Sequence, residues 1–213
     1  MILFLLIDLH KDDWEMTTRD LFADVVVFLN AYQKSSRENR IVIVSSRCVV
    51  FDTLENDISA IYSITALETR YSVGDLGYAL CLHRSEESQI VIFTLREEHK
   101  DEYLRYIKCM FAAQRFRIKI NAFSLVENKT ILQCCASTGG EYFSDETQCL
   151  RFLLSLLGTR KPLQPLGFSA TCYCHGKQIL LGLVCPICLS VFCKFIPVCK
   201  KCKSKFSFIK LEE

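Results

Sequence analysis

The feature that most constrains this chain is a run of cysteines near its C-terminal end, where seven of the thirteen lie between positions 172 and 202. Two Cys-x-x-Cys pairs, Cys185 with Cys188 and Cys199 with Cys202, are separated by ten residues. Each tight turn presents two sulfurs to one side, which is the arrangement of a tetrahedral zinc site. A shell of four thiolates leaves no position for water, so we predict a structural Zn²⁺ ion that contributes folding energy and no catalysis.

A second set of metal-ligand side chains is interleaved with the first and consists of Cys172, Cys174, His175 and Cys193. Their order suits a cross-braced double site, which would give the chain two zinc ions instead of one. The alternative is that they are small apolar groups buried beneath the first site, which is common for free cysteine. Because Cys174 and His175 are sequence neighbours and Cys193 stands alone, the sequence leaves both alternatives open.

Other interpretations of the cysteine-rich stretch fit less well. Residues 179–193 are almost unbroken apolar sequence, but a membrane helix needs about 20 residues, and Gly182 and Pro186 interrupt this run. Disulfides are disfavoured because no secretory signal is recognisable and cysteines spaced in this way suit a metal better. One Cys-x-x-Cys pair would indicate thiol exchange, whereas two at this spacing indicate a metal.

Charge divides the chain into two parts. Residues 1–157 carry 17 Lys/Arg against 22 Asp/Glu, a net charge of −5, whereas residues 158–213 carry nine against two, a net charge of +7. We predict an acidic domain over residues 1–157, a linker over residues 158–170 and a basic zinc module over residues 171–213. Since a zinc ion with four thiolates carries −2, part of the basic charge offsets the site, and we expect direct DNA contact to be weak or absent.

The first 157 residues alternate apolar, strand-like runs with segments of helical periodicity. Residues 1–7 are a continuous apolar run without the basic start or cleavage site of a signal peptide, and such a run is typical of a strand buried on both faces. Strands are predicted over residues 1–7, 40–46, 48–51, 89–94, 118–125 and 141–143, and helices over residues 16–32, 54–64, 75–83, 100–115, 130–137 and 145–157. This alternation predicts a doubly wound α/β domain with a mostly parallel sheet, in which residues 40–46 and 48–51 pair as a hairpin.

In a sheet of this kind, ligands bind beyond the carboxyl ends of the strands. The sequence there offers Asp8, His10 and Asp12 after the first strand and Leu95 after the fourth. The sequence has neither a Gly-x-x-x-x-Gly-Lys nor a Gly-x-Gly-x-x-Gly loop, so nucleotide binding has no support. Three polar residues without a nucleophile or a second cluster do not make an active site, and we predict no catalytic and no cofactor-binding residues.

The order of elements and the residues after the first strand resemble a von Willebrand factor A domain. Its first strand normally ends in Asp-x-Ser-x-Ser and helps to bind a divalent ion through oxygen ligands. Asp8 matches the first position, but His10 and Asp12 occupy the serine positions, and Leu95 stands where the usual strand-end aspartate would be. A hard cation needs several oxygen ligands, which one dependable carboxylate does not supply. The resemblance therefore implies a degenerate adhesion site that binds no Mg²⁺.

Several segments of the sequence are also similar to those of one protein family. They are Phe111-Ala-Ala-Gln114, Leu132-Gln-Cys-Cys-Ala136, Thr138-Gly-Gly140 with Tyr142, Cys172-Tyr-Cys-His175, Cys185-Pro-Ile-Cys-Leu-Ser-Val-Phe-Cys193 and Cys199-Lys-Lys-Cys202. On these segments the chain resembles the Tfb4-type family, the smaller of the two von Willebrand A and zinc-finger subunits of the general transcription and DNA repair factor TFIIH. Residues 53–72 are shorter than the insertion that family members often carry, which leaves in question any interaction that depends on it.

The resemblance implies a non-catalytic scaffold subunit of the TFIIH core complex, which opens promoter DNA for RNA polymerase II and excises DNA damage. It implies a nuclear protein whose α/β domain docks the larger von Willebrand A and zinc-finger subunit, with no membrane and no small-molecule substrate. Two alternatives belong to other classes. One is a zinc-ribbon nucleic-acid-binding protein outside TFIIH, motivated by Lys200, Lys201, Lys203 and Lys205. The other is a RING-like E3 module, which the cysteine count suggests but which lacks a clean first site.

Overall fold

The structure is a computed structural model that describes residues 1–15, 17–57, 60–64, 68–82, 87–96, 102–157, 170–179 and 182–206. The chain divides into two compact units, Met1–Pro165 and Leu166–Glu213. The division falls inside the predicted linker, most of which lies outside the described residues, so the exact domain limits stay a prediction. Within the described part of the chain, every helix is too short or too polar to cross a membrane.

The first unit is built around one sheet. Its strands are β1 (Ile2–Ile7), β2 (Arg40–Ser45), β3 (Cys48–Asp52), β4 (Ser88–Thr94), β5 (Lys119–Ser124) and β6 (Tyr142–Phe143). They lie in the order β3-β2-β1-β4-β5-β6, and all neighbours are parallel except β2 and β3, which form an antiparallel hairpin. The central position of β1 explains why all six of its residues are buried. The predicted mostly parallel sheet is confirmed.

Helices cover both faces of this sheet. They are α1 (Lys11–Glu15), α2 (Leu21–Ser35), α3 (Ile61–Ile64), α4 (Val73–Leu82), α5 (Tyr103–Phe116), α6 (Lys129–Thr138) and α7 (Cys149–Ser155). Contacts join α2 to α7 on one side, and α5 to both α4 and α6 on the other. Leu3, Leu5 and Ile7 of β1 belong to the same buried cluster as Phe28 of α2 and Phe152 of α7. Because side chains alternate along a strand, the intervening residues of β1 face the other side of the sheet, where α4 contacts β1.

The segment predicted as one helix over residues 16–32 is shorter than predicted and follows a separate helix, α1. The Asp20 side chain accepts a hydrogen bond from the Ala23 N–H at 2.9 Å and caps α2. An N-cap residue has a non-helical backbone, so the helix cannot extend through Asp20. The Glu146 carboxylate also accepts the Thr18 N–H at 2.7 Å, which holds the connection between α1 and α2 in place.

The predicted helix over residues 54–64 is reduced to α3, and residues 58 and 59 lie outside the described ones. The chain turns after β3 because the Asp52 carboxylate accepts the Leu54 N–H at 3.0 Å and pairs with Arg40 of β2. The hydrogen bond from the Arg40 guanidinium holds the pKa of the Asp52 carboxyl below its usual value. Asp52 therefore competes with helix formation by fixing the turn and the hairpin together.

In the second half of the sheet unit, the observed helices agree more closely with those predicted from the sequence. Asn128 Oδ1 accepts the N–H groups of Thr130 (3.0 Å) and Ile131 (3.1 Å) and caps α6, and Gly139 ends this helix with a left-handed φ of 74°. The last predicted helix, over residues 145–157, begins as a 3₁₀ turn capped by Asp145 and continues as α7.

The second unit is small and contains two antiparallel hairpins. One pairs β7 (Ala170–Thr171) with β8 (Gln178–Ile179), and the other pairs β9 (Leu183–Val184) with β10 (Val191–Phe192). Its buried cluster consists of Cys185, Phe192 and Cys199. A core of this size cannot by itself offset the conformational entropy of the 35 described residues of this unit, so the unit needs a further source of stability.

Candidate metal centre and degenerate ion site

The two Cys-x-x-Cys pairs come together in the second unit. The four Sγ atoms of Cys185, Cys188, Cys199 and Cys202 lie within 4.8 Å of one another, with Cys185 3.7 Å from Cys202 and Cys188 3.6 Å from Cys199. These distances far exceed a disulfide bond of ~2.05 Å. Zn–S bonds of about 2.3 Å in tetrahedral geometry place the sulfurs ~3.8 Å apart, so the donors fit Zn²⁺ in chemistry and in spacing.

Two of these thiols have pKa values shifted in opposite directions. Hydrogen bonds from the Ser204 hydroxyl, 3.0 Å from Cys202 Sγ, and from the Ser204 N–H lower the pKa of Cys202 to about 6. Burial raises the pKa of Cys199 to about 11. A metal binds thiolate, so binding at this site has to displace the proton of Cys199.

The same backbone turn occurs three times in this unit, beginning at Cys172, Cys185 and Cys199. In each turn the N–H of the residue four positions on donates to the carbonyl of the first cysteine, at 2.8 to 2.9 Å. The residue that donates this hydrogen bond has a positive φ in all three turns: Gly176 (64°), Leu189 (54°) and Lys203 (62°). The repeated geometry turns the side chains at the first and fourth positions of each turn to the same side.

In the turn that begins at Cys172, His175 takes the place that Cys188 and Cys202 take in the other two. His175 Nδ1 lies 3.8 Å from Cys172 Sγ and 3.3 Å from Cys193 Sγ. Cys172, Cys174 and His175 form a second group whose ligand atoms all lie within 4.8 Å of one another. The structure therefore brings three of the four residues of the second predicted set together, and Cys193 lies beside His175 but outside that group.

The interpretation of this second set as buried apolar filler fits only part of the set. Cys172 is buried, but Cys174 is only half-buried, and His175 and Cys193 are exposed. Three sulfurs and an imidazole nitrogen are a common donor set for tetrahedral zinc. The second set therefore has suitable chemistry for a metal, and His175 and Cys193 are too exposed for core packing, whereas Cys174 packs against the buried cluster of Cys185 and Cys199.

Asp8, at the degenerate adhesion site, is completely buried, and its carboxylate binds protein donors. Oδ1 accepts the Tyr71 N–H at 2.7 Å, and Oδ2 accepts the Thr94 hydroxyl at 2.8 Å and the Leu95 N–H at 2.9 Å. The Arg96 guanidinium lies 3.8 Å from Oδ1. A divalent ion could bind here only by breaking these interactions.

Asp13 is a second buried carboxylate at this end of the sheet, and we did not predict its part in the site from the sequence. Arg70 donates to both of its oxygens, at 3.0 and 3.3 Å, and Arg96 Nε lies 3.5 Å from Asp13 Oδ2. The hydrogen bond to Asp13 is the main reason why the pKa of Arg70 is raised. Two arginines thus balance two buried aspartates, and their fixed positive charge opposes a cation.

His10 and Asp12 do not complete an oxygen shell around Asp8. The Asp12 side chain is 78% exposed and lies 3.7 Å from His10 Nδ1. In the part of the chain that the structure describes, the groups of three or more metal-ligand side chains are the two in the cysteine-rich unit. These contacts give a physical reason to expect no divalent ion at Asp8, His10 and Asp12.

The fold and these sites define a class of protein, namely a von Willebrand A-type domain with a degenerate ion site joined to a cysteine-rich unit. The crystal structure of the TFIIH p34 N-terminal domain has a TM-score of 0.55 and 16% identity, covering 72% of this chain and 96% of that chain. A von Willebrand factor type A protein from Catenulispora acidiphila has a TM-score of 0.50 and 8% identity, covering 73% of this chain and 41% of that one. At such identities the likeness concerns the fold alone.

The chain belongs to the Tfb4 family, because the model for transcription factor Tfb4 matches residues 79–203, across both units. The TFIIH subunit tfb4 of Schizosaccharomyces pombe is 25% identical over 97% of this chain and 89% of its own length. TFB4 of Arabidopsis thaliana is 29% identical over 66% of this chain, and subunit 3 of Dictyostelium discoideum is 29% identical over 56%. The chain covers 54% and 36% of the lengths of these last two relatives. The family expected from the cysteine-rich segments is confirmed.

Proposed function

We propose that this chain is a non-catalytic structural subunit of the TFIIH core complex and acts in the nucleus, in RNA polymerase II transcription initiation and nucleotide excision repair. The observation that carries the proposal is the family match, which runs through both units. It is supported by relatives named as subunits of general transcription and DNA repair factor IIH.

The state of the ion site supports a role without catalysis. In the α/β unit, the buried carboxylates of Asp8 and Asp13 are used for hydrogen bonds and for ion pairs with Arg70 and Arg96. A domain whose ligand site is filled by its own side chains retains its rigid outer surface as the useful part.

The larger von Willebrand A and zinc-finger subunit of TFIIH is the partner that we assign to the α/β unit. The net charge of −5 over residues 1–157 disfavours DNA phosphates and suits a basic zinc module. Complementary charge of this kind guides association and orientation more than it adds affinity. A stable interface between subunits would bury ~1,600 Å² or more.

The role that we assign to the cysteine-rich unit is structural and depends on zinc. One Zn²⁺ ion is held by Cys185, Cys188, Cys199 and Cys202. A second is held by Cys172, Cys174, His175 and Cys193. Neither donor set leaves a position for a reacting water, so the ions contribute folding energy.

Affinity purification from nuclear extract tests the assembly. The tagged full-length chain should retain the larger von Willebrand A subunit, identified by mass spectrometry, and nuclease treatment should not reduce that recovery. Loss of the TFIIH subunits after nuclease would favour a nucleic-acid-binding protein. A second bait, residues 1–157 with folding checked by circular dichroism, should also retain the partner. Capture by residues 166–213 and not by residues 1–157 would contradict the assignment of the docking unit.

A further inference from the structure

The cysteine-rich unit carries an apolar groove beside the first metal site. Its volume is about 160 Å³, and Cys185 forms part of its wall. The side chains that line most of it are Leu183, Val184, Phe192, Phe195, Ile196 and Phe206. Leu183, Val184 and Phe195 are 51%, 54% and 54% exposed, so half of their surface faces solvent.

An exposed groove of this composition indicates a binding surface. Burial of a leucine, valine or phenylalanine side chain stabilises a protein, and this small unit leaves several of them half-exposed. Contiguous apolar surface with polar surroundings marks interaction sites in soluble proteins. Since Cys185 is both a zinc donor and part of the wall, the shape of the groove depends on the metal site.

The charge around the groove identifies the chemistry of its occupant. Over the described residues of this unit, 170–179 and 182–206, the sequence has six lysines and no aspartate or glutamate. One of them, Lys194, lines the groove itself. The thiolates of the two zinc sites offset part of this charge, but the unit stays net positive. An occupant with apolar side chains and flanking carboxylates would match both properties.

We propose that this groove binds an acidic, amphipathic segment of a partner protein, with apolar side chains in the groove and Asp or Glu beside Lys194. Among the described residues of the wall, Lys194 is the one charged side chain, and this composition favours protein over nucleic acid. A stacking platform for successive bases needs several exposed aromatic rings, and among the described wall residues Phe195 is exposed (54%) whereas Phe192 is buried (2%). This surface is additional to the docking assigned to the α/β unit, and its test does not depend on that assignment.

A peptide selection tests the proposal and requires no identified partner. A phage-displayed library of 16-residue peptides is panned on the zinc-loaded, full-length chain, and the most enriched peptide is synthesised for fluorescence anisotropy. We expect enriched peptides that combine Leu, Phe or Trp with several Asp or Glu. Absence of enrichment, or enrichment of neutral or basic peptides, would overturn the proposal.

Two pairs of matched variants locate the binding surface. Val184→Glu should weaken binding at least tenfold, as expected for an anchor position, whereas Ile187→Glu should change it less than about twofold, since Ile187 is exposed but lies outside the groove. Lys194→Glu should weaken binding and reduce its salt dependence, and Lys177→Glu should not. Zinc content equal to wild type shows that each variant is folded. Equal effects within either pair would place the peptide elsewhere and overturn the proposal.

Two further measurements separate the other occupants. Competition by a 20-nucleotide oligothymidine that is sensitive to Val184→Glu would assign the groove to single-stranded nucleic acid. Peptide binding that appears only after removal of residues 207–213 would assign it to the C-terminal segment of this chain. The proposal requires that the full-length chain binds the peptide and that the oligonucleotide does not displace it.

Discussion

Asp8 has no exposed surface, and its charge is balanced inside the fold. Its carboxylate ties β1 to the segment before α4 through the Tyr71 N–H and to the end of β4 through Thr94 and Leu95. Hydrogen bonds to a charged group stabilise a protein by about 1.5–3 kcal/mol each, and the donors would be unsatisfied without it. Asp8 therefore acts as a structural junction of three chain segments.

Asp8→Ala should lower the free energy of unfolding of the α/β unit by about 3–5 kcal/mol, because it removes one partner of a buried, charged network. Asp12→Ala, in the first turn of α1, is the matched control. Its side chain is 78% exposed, and we expect an effect within about 0.5 kcal/mol. Urea unfolding followed by circular dichroism measures both. Similar values for the two variants would show that the hydrogen bonds of Asp8 carry no stability.

Mg²⁺ should leave the melting temperature of the α/β unit in the wild-type protein unchanged. An ion that binds the folded state raises stability by mass action, by about 2.7 kcal/mol at a hundredfold excess over its Kd. Arg70 and Arg96 already supply positive charge next to Asp13 and Asp8, so we expect no such rise. Differential scanning calorimetry with and without 10 mM MgCl₂, at about 200 mM ionic strength in both samples, gives the comparison. A Mg²⁺-dependent increase of several degrees would contradict the degenerate-site interpretation.

The sequence predicts one part of this ion site and misses another, for a physical reason. The replacement of the oxygen ligands by His10, Asp12 and Leu95 is visible in local sequence. The pairing of Asp13 with Arg70 joins residues 57 positions apart, and the sequence alone would predict that both side chains face solvent. His175 is a different case, because Cys-x-x-His has the spacing of the two Cys-x-x-Cys pairs, and the local sequence therefore includes it among the candidate ligands.

At the level of elements, α6 connects to β6 through two adjacent glycines that have different tasks. Gly139 has a φ of 74°, and a Cβ added to it would meet no other atom within 4 Å, whereas a Cβ on Gly140 would lie 2.0 Å from the Ile120 carbonyl oxygen of β5. Gly139 is thus needed for its backbone conformation, and Gly140 for close approach to the neighbouring strand.

Gly139→Ala should lower the free energy of unfolding by about 1 kcal/mol, because alanine is strained in a left-handed backbone conformation. Gly140→Ala should lower the free energy of unfolding by more than about 3 kcal/mol. The added Cβ would clash with the backbone of β5, which cannot move without disturbing that strand. Urea unfolding measures both, and if Gly140→Ala yields no soluble protein, the Gly139→Ala variant still tests the strain. A larger loss for Gly139→Ala than for Gly140→Ala would reverse the assignment of the two glycines.

Element boundaries show where periodicity is a sufficient guide. β1, β4 and α6 end close to their predicted limits because buried apolar runs or capping residues mark them in the sequence. The predicted start of α2 and the predicted extent of α3 were wrong. Asp20 and Asp52 fix turns through side-chain hydrogen bonds, which hydrophobic periodicity does not reveal. The alternation of strands and helices indicates a parallel sheet, but the strand order depends on long-range packing and comes from the structure.

The whole molecule combines two units with different sources of stability. The α/β unit has a large apolar core that runs through β1, β4 and the helices on both sides. The cysteine-rich unit has a small buried cluster that is itself made largely of cysteines. Because burial cannot stabilise the second unit, metal binding and folding should be coupled there, as in other small metal-binding modules.

Zinc removal should therefore unfold the cysteine-rich unit and leave the α/β unit intact. Elemental analysis should find two zinc ions per chain. His175→Ala should lower the content to one, because its site is separate from the tetrathiolate. Cys188→Ser should remove the first ion and the fold of the second unit, while Cys81→Ser, at an exposed cysteine of the α/β unit, should retain two. One zinc in the wild type, unchanged in His175→Ala, would show that the histidine turn holds no metal. A lower melting temperature of the α/β unit after chelation would show that its stability depends on zinc.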